Sequence, residues 1–216
     1  MNIDGFLKIF QSVFYITASI VAVLTYVKAK NGLLNTVNTE YHKKVIERLS
    51  QLSDELYKEF DSEADDFWVN EDPIKEILEI LHIKIAPNKE KIISSGILKT
   101  GIPVSKKESY LQNAADKYKS DPFIPESVRL KVVDLLEARS LAFHNATTDA
   151  IGYYTDGLSK GKFWDTLETN HHWLHNRVLN RLYEMGCGVS QVNEEVHEIR
   201  LEIQKYFSKF NPTSNR

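Results

Sequence analysis

One cysteine stands in 216 residues. Cys187 has no partner for an intrachain disulfide, and no Cys-x-x-Cys pair exists to hold zinc or carry redox chemistry. Neither sign of charge is in large excess. The 27 Lys and Arg stand against 30 Asp and Glu, for a formal net charge of −3. A dedicated nucleic-acid binder needs a basic surplus to neutralise phosphates, so no DNA partner is expected. Glycine-rich phosphate-cradling loops and a Gly-x-Ser-x-Gly elbow are also missing. These absences weigh against an enzyme, and no cofactor is expected. Internal repeats and low-complexity tracts are lacking too. A hydrophobic content of 42% and an aromatic content of 11% argue against disorder.

What is present begins with Ile9 to Val27, nineteen residues without a charge. A bilayer's hydrocarbon core needs about 20 mainly apolar helical residues. Lys8 can snorkel to the interface, and Tyr15 and Tyr26 sit toward the two ends. Ser12, Thr17, Ser19 and Thr25 are tolerable there because their hydroxyls can bond carbonyls of the preceding turn. A cleaved signal peptide would have a basic start, a shorter apolar core and a small-residue cleavage site. Here Asp4 and a single Lys8 precede the run, which ends in Tyr26-Val27-Lys28. A retained membrane helix is therefore expected, with the lipid bilayer as its partner. Lys28, Lys30, Lys43, Lys44 and Arg48 follow the run, against Lys8 and the amino group before it. The positive-inside rule places the N-terminus outside the cell membrane and residues 28–216 in the cytoplasm. A lone cysteine agrees with a reducing compartment.

The expected fold class is all-α: one N-terminal transmembrane helix followed by a cytosolic multi-helix domain. The anchor occupies 1–30, with its helix at about 6–28. Asn31-Gly32 is expected to break or kink the chain. An amphipathic helix then fills 31–62, with apolar positions Leu34, Val37, Tyr41, Val45, Leu49, Leu52, Leu56 and Phe60 at the ordinary helical period. A helical domain spans 63–211 and ends in a heptad-patterned helix at 190–210; 212–216 is a frayed tail. Asp61 to Asp66 reads as an acidic loop whose spacing does not fit a calcium-binding EF-hand. Asp72-Pro73 opens a helix with buried stripe Ile74, Ile77, Leu78, Leu81 and Ile85, stopped at Pro87. Segment 92–103 reads as a short helix and turn, with a small hairpin as alternative. Ser105-Lys-Lys-Glu108 forms a capping box for a helix to about Lys119. Pro125 starts a long helix to Gly157, which the weak formers Asn145 to Asp149 are able to kink. Lys162 to Met185 follows, with Gly186 as C-cap, and Ser190 caps the last helix.

Arg139-Ser-Leu-Ala-Phe-His144 resembles the Arg-x4-His motif of HEPN-type helical RNases. The resemblance implies that Arg139 and His144 act on a phosphodiester at a dimer interface. On a straight helix, positions five apart point about 140° away from each other. The two share a site only where the helix breaks or a partner chain supplies one of them. His171 and His175 are one turn apart on one face, a spacing that suits two metal ligands. Their alternative is a structural role, since His171 falls on the stripe Trp164, Leu167, Leu174, Val178 and Leu182. Cys187 has no base nearby in sequence to make it a nucleophile.

The strongest periodicity lies near the C-terminus. Val189, Val192, Val196, Ile199, Ile203, Tyr206 and Phe210 step alternately by three and four, a heptad pattern. It fits either a coiled-coil contact with a second copy or a partner protein, or a helix packed on the domain's own core. The sequence as a whole reads as a membrane-anchored helical protein that acts through protein–protein association, as a sensor, adaptor or membrane effector in bacterial defence or stress response. The alternative is a membrane-tethered HEPN-like RNase.

Overall fold

The computed structural model describes residues 3–65, 67–68, 73–164 and 169–209. The first helix, α1, runs Ile3–Tyr57. The chain divides after Glu47 into two compact units.

The first unit is helix throughout its described length. Its apolar side chains are exposed, from Leu7 through Val27 and on to Leu33, Leu34, Val37 and Tyr41. The helix is long and apolar enough to cross a membrane. Hydroxyls within it bond back to the preceding turn: Ser12 Oγ donates to the Lys8 carbonyl at 2.9 Å and Thr17 Oγ1 to that of Val13 at 2.9 Å. Such bonds keep polar side chains satisfied without water. The expected break at Asn31-Gly32 does not occur; α1 continues through both residues. A glycine costs a helix interior only about 1 kcal/mol, and Thr36 Oγ1 adds a second bond to the Gly32 carbonyl at 3.0 Å.

The second unit begins at Arg48 and contains the end of α1 and all later helices. These are α2 (Pro73–Ile85), α3 (Lys89–Ser95), α4 (Lys106–Lys119), α5 (Glu126–Ser159), α6 (Asn170–Glu184) and α7 (Val189–Ser208). No strand occurs among the described residues, so the hairpin alternative for 92–103 is set aside. Gly96, at φ +65°, ends α3 instead.

The spine is α5, which touches α3, α4, α6 and α7. It stays helical through Asn145–Asp149, because buried Ala142, Phe143, Ala146, Ala150 and Ile151 anchor that stretch on both sides. The expected stripe of α2 is buried as a whole and joins one core with the C-terminal half of α5 and with Leu174, Val178 and Leu182 of α6. The N-terminal half of α5 buries Val128, Val132 and Leu136, and its neighbour α4 buries Leu111, Ala115 and Tyr118. The end of α1 is tied to α4 by Lys117 and Tyr118, which both donate to Glu55. Arg48 Nε pairs with buried Asp121 at 2.5 Å. Burial raises the Asp121 pKa, but the Arg48 bond and the Phe123 N–H outweigh it and hold the carboxyl below its ordinary value.

Two helix starts differ from expectation. The Lys162–Met185 helix begins only at Asn170. Before it the chain turns at Gly161 (φ +76°) and Phe163 (φ +67°). The Phe163 ring lies over Gly157, where a Cβ would stand 2.2 Å from it. Asn170 fixes this turn: its Nδ2 donates to the Phe163 carbonyl at 2.9 Å and to Tyr154 Oη at 3.0 Å, and its Oδ1 accepts from Trp173 Nε1 at 3.0 Å. Tyr154 Oη also meets His82 Nε2 at 3.1 Å. Burial keeps His82 below its ordinary pKa and pushes Tyr154 up to about 12. The last helix starts after Gly188, not Ser190. The Gly188 N–H donates to Gln191 Oε1 at 2.9 Å, and Tyr183 packs where a Cβ of residue 188 would sit. Gly186, at φ +77°, ends α6 as expected; the Cys187 N–H reaches back to the Leu182 carbonyl at 2.8 Å, a Schellman-type ending. Asp72, Leu167, Phe210 and the 212–216 tail lie outside the described residues.

The heptad stripe of α7 is directed inward. Val192, Val196, Ile199 and Ile203 are all at most 3% exposed. Arg200 stands beside this stripe, donating to Ser53 Oγ at 3.1 Å with its guanidinium 4.4 Å from the Tyr57 ring. Of the two readings of the pattern, the structure displays the helix packed on its own domain.

Candidate functional site

Three charged residues meet inside the second unit. Glu59 lies in the 3-10 turn Lys58–Phe60 that follows α1. Lys107 sits in the first turn of α4, and Arg139 in the middle of α5. Lys107 Nζ reaches Glu59 Oε1 at 2.6 Å, and Arg139 Nη2 reaches Glu59 Oε2 at 2.6 Å. Each side chain is only 12–13% exposed. Burial alone raises the Glu59 pKa; the charges and hydrogen bonds of Arg139 and Lys107 outweigh it and hold the carboxyl below its ordinary value. Lys107 and Arg139 thus converge on the two oxygens of one carboxylate.

Local sequence explains how the three arrive. Ser105 caps α4, its Oγ accepting from the Glu108 N–H at 3.1 Å. This fixes Lys107 four residues before buried Leu111, on the face that packs inward. Glu59 lies three residues after buried Leu56, and Arg139 four before buried Phe143. All three are long side chains on otherwise apolar stripes, which is where an ion cluster inside a helical domain has to originate.

The cluster borders a half-open cavity of about 90 Å³. Phe143, Val178, Leu179 and Leu182 supply apolar wall, and His175 and Cys187 also line it. Burial pushes the Cys187 thiol up, with only partial opposition from the Arg139 charge. The thiol is therefore a poor nucleophile at neutral pH.

The sequence-derived candidates are distributed over this geometry as follows. Arg139 faces the cavity and holds Glu59. His144, on the same unbroken helix, is 53% exposed and its Nδ1 meets Glu108 Oε1 at 2.9 Å. The capping-box glutamate thus bonds a distant histidine. One chain does not bring Arg139 and His144 together, as their angular separation on α5 requires. His175 joins Arg139 at the cavity, whereas the His171 ring packs against His172 with centroids 3.8 Å apart. No group of three or more His, Cys, Asp or Glu among the described residues is placed to hold a metal ion. Glu59 and Lys107 were not legible as site residues in sequence; the available signal was a charge on a buried stripe, which the pattern reveals and the partners do not.

No family model, no curated protein and no solved structure matches the chain.

Proposed function

We propose that the chain is a single-pass membrane protein, with its N-terminus outside and residues 28–216 in the cytoplasm, that acts through protein–protein association as a sensor, adaptor or membrane effector. The observation that carries this reading is the uncharged run Ile9–Val27, whose apolar side chains lie exposed in the isolated chain. In water such a surface is far larger than a monomer tolerates, and a bilayer covers it. The lysines after the run support the orientation. Membrane confinement raises the effective concentration of copies and partners, which favours association. With Val192, Val196, Ile199 and Ile203 inside the domain, contact through the C-terminal stripe from Val189 to Phe210 requires α7 to leave its own core.

Two measurements test the reading. Alkaline carbonate should leave the full chain in the membrane pellet, and Ile16→Arg with Ile20→Arg should release it; extraction of the wild type by carbonate refutes the anchor. Native mass should rise above that of one chain as protein is concentrated in lipid nanodiscs. A strict monomer at every protein-to-lipid ratio refutes association.

A further inference from the structure

We propose that α1 is the contact between copies: its stripe Ile9, Val13, Ile16, Ile20, Val23, Val27, Lys30, Leu34 and Val37 packs against the same stripe of a second, parallel copy of this chain. This deepens the association reading and rests on it. The first observation is spacing. The nine positions step alternately by four and three, the 3.5-residue repeat that keeps one seam turned toward a partner helix. Six of the seven Ile and Val residues from Ile9 to Val27 lie on it, and none of Gln11, Ser12, Thr17, Ser19 and Thr25 does. In lipid, close packing has to supply the attraction between helices. Val and Ile suit that task, because a helix leaves them essentially one χ1 rotamer and packing freezes little more. Ser12 and Thr17 already bond carbonyls of their own helix. The chain's other heptad stripe, on α7, is buried in its own domain.

The second observation is length, and it says what covers the stripe. Ile9–Val27 extends about 28 Å as a helix, which fills a hydrocarbon core of about 30 Å. Because α1 does not break at Gly32, it carries Leu34 about 10 Å and Val37 about 15 Å past Val27 along its axis. A headgroup layer is only about 5–7 Å deep, so lipid covers neither. Leu33 is nevertheless 68% exposed, Leu34 49% and Val37 58%, and no charge stands from Asn31 to Thr39. Lipid inside the bilayer and water outside it leave one continuous register half covered. A partner that covers both halves is a helix leaving the same membrane and continuing as a rod. A second copy is such a helix, and the same flanking charges insert it in the same direction. The seam is also large enough: its eight apolar side chains are about half exposed or more, and at about 100 Å² each they present roughly 800 Å² per copy, the usual area on each side of a stable interface. Lys30 stands at headgroup depth, where its stem carries the ammonium out of the seam to lipid phosphates.

Cys187→Ser removes the chain's only thiol. In that background, full chains carrying Leu34→Cys, Asn35→Cys, Thr36→Cys or Val37→Cys singly are oxidised with copper phenanthroline, in nanodiscs that hold no other protein and in native membranes. A disulfide needs Cα atoms within about 7 Å, which a parallel pair grants at the seam and denies on its outer face. Leu34→Cys and Val37→Cys should therefore give covalent dimers, and Asn35→Cys and Thr36→Cys should lose that product. Leu34→Lys with Val37→Lys should reduce the native mass in nanodiscs to that of one chain, while carbonate still leaves the variant in the membrane pellet. A wild-type mass above one chain with equal cross-linking at all four positions, or with cross-linking strongest at Thr36→Cys, overturns the seam and leaves association itself standing. A cross-linked product in native membranes with the mass of a different partner puts another protein on the stripe and overturns the second copy. A wild type that stays monomeric at every protein-to-lipid ratio overturns both the seam and the association reading.

Discussion

At the scale of single residues, Glu59 is the side chain on which the most depends. It satisfies two cations from two other helices, and each of them is buried with it. Removing one partner of a buried ion pair costs about 3–5 kcal/mol, because the remaining charge is left uncompensated. Glu59→Gln should lower unfolding free energy by about that much at neutral pH, measured by denaturant titration of the full chain. The pH dependence follows from the direction of its shift. The folded carboxyl lies below the ordinary value of 4.5. Its contribution is therefore complete above that value and is lost as pH falls through it toward the folded pKa. The wild type should lose stability more steeply than Glu59→Gln on acidification from about pH 6 to about pH 3. Equal slopes would show that Glu59 does not titrate with folding. Gly157 makes a second residue-scale case. A methyl there collides with the Phe163 ring, whose backbone already holds a positive φ and a bond from Asn170. Gly157→Ala should destabilise by about 1–3 kcal/mol, the usual cost of overpacking, although alanine is the better helix former.

At the scale of elements, the same heptad spacing describes both an intermolecular seam and a helix packed on its own domain. The α7 stripe takes the second form, so its substitution should act on folding. Ile199→Ala should reduce stability by about 2–4 kcal/mol through lost burial and a residual cavity, read from the denaturation midpoint. Leu34→Lys with Val37→Lys, on exposed positions of α1, should leave that midpoint within about 0.5 kcal/mol of wild type. Periodicity served well where burial alone decides: every position of the α2 stripe from Ile74 to Ile85 is buried. It served less well at ends and turns. The delayed start of α6 depends on Asn170 reaching Tyr154, Phe163 and Trp173, contacts that no local pattern encodes. Gly188 displaced Ser190 as cap because the Tyr183 ring needs the space a side chain would fill. The candidate site was half legible. Arg139 stood out on its stripe, but pairing it with Glu59, 80 positions away, requires the tertiary fold. The contact of His144 was hidden for the same reason: Glu108 is 36 positions distant and had a plausible local task.

At the scale of the whole molecule, the sequence places a cationic flank after an uncharged helix, and the proposed sidedness rests on that flank. Exchanging Lys28, Lys30, Lys43 and Lys44 for Gln and adding lysines before Phe6 should invert the orientation. Accessibility of an N-terminal epitope to protease in intact cells would report it. Retention of the original orientation would mean that another feature governs insertion.

The inward stripe of α7 also bears on how the chain is made. Synthesis delivers α1, the end of which belongs to the domain core, long before α7 emerges. Until then the surfaces that Val192, Val196, Ile199 and Ile203 will cover stay open, on a chain whose first helix, under the proposed membrane reading, has already met the insertion machinery. Completion of the core would thus be delayed relative to the proposed anchoring. A nascent chain halted before residue 189 would be expected to recruit chaperones or proteases.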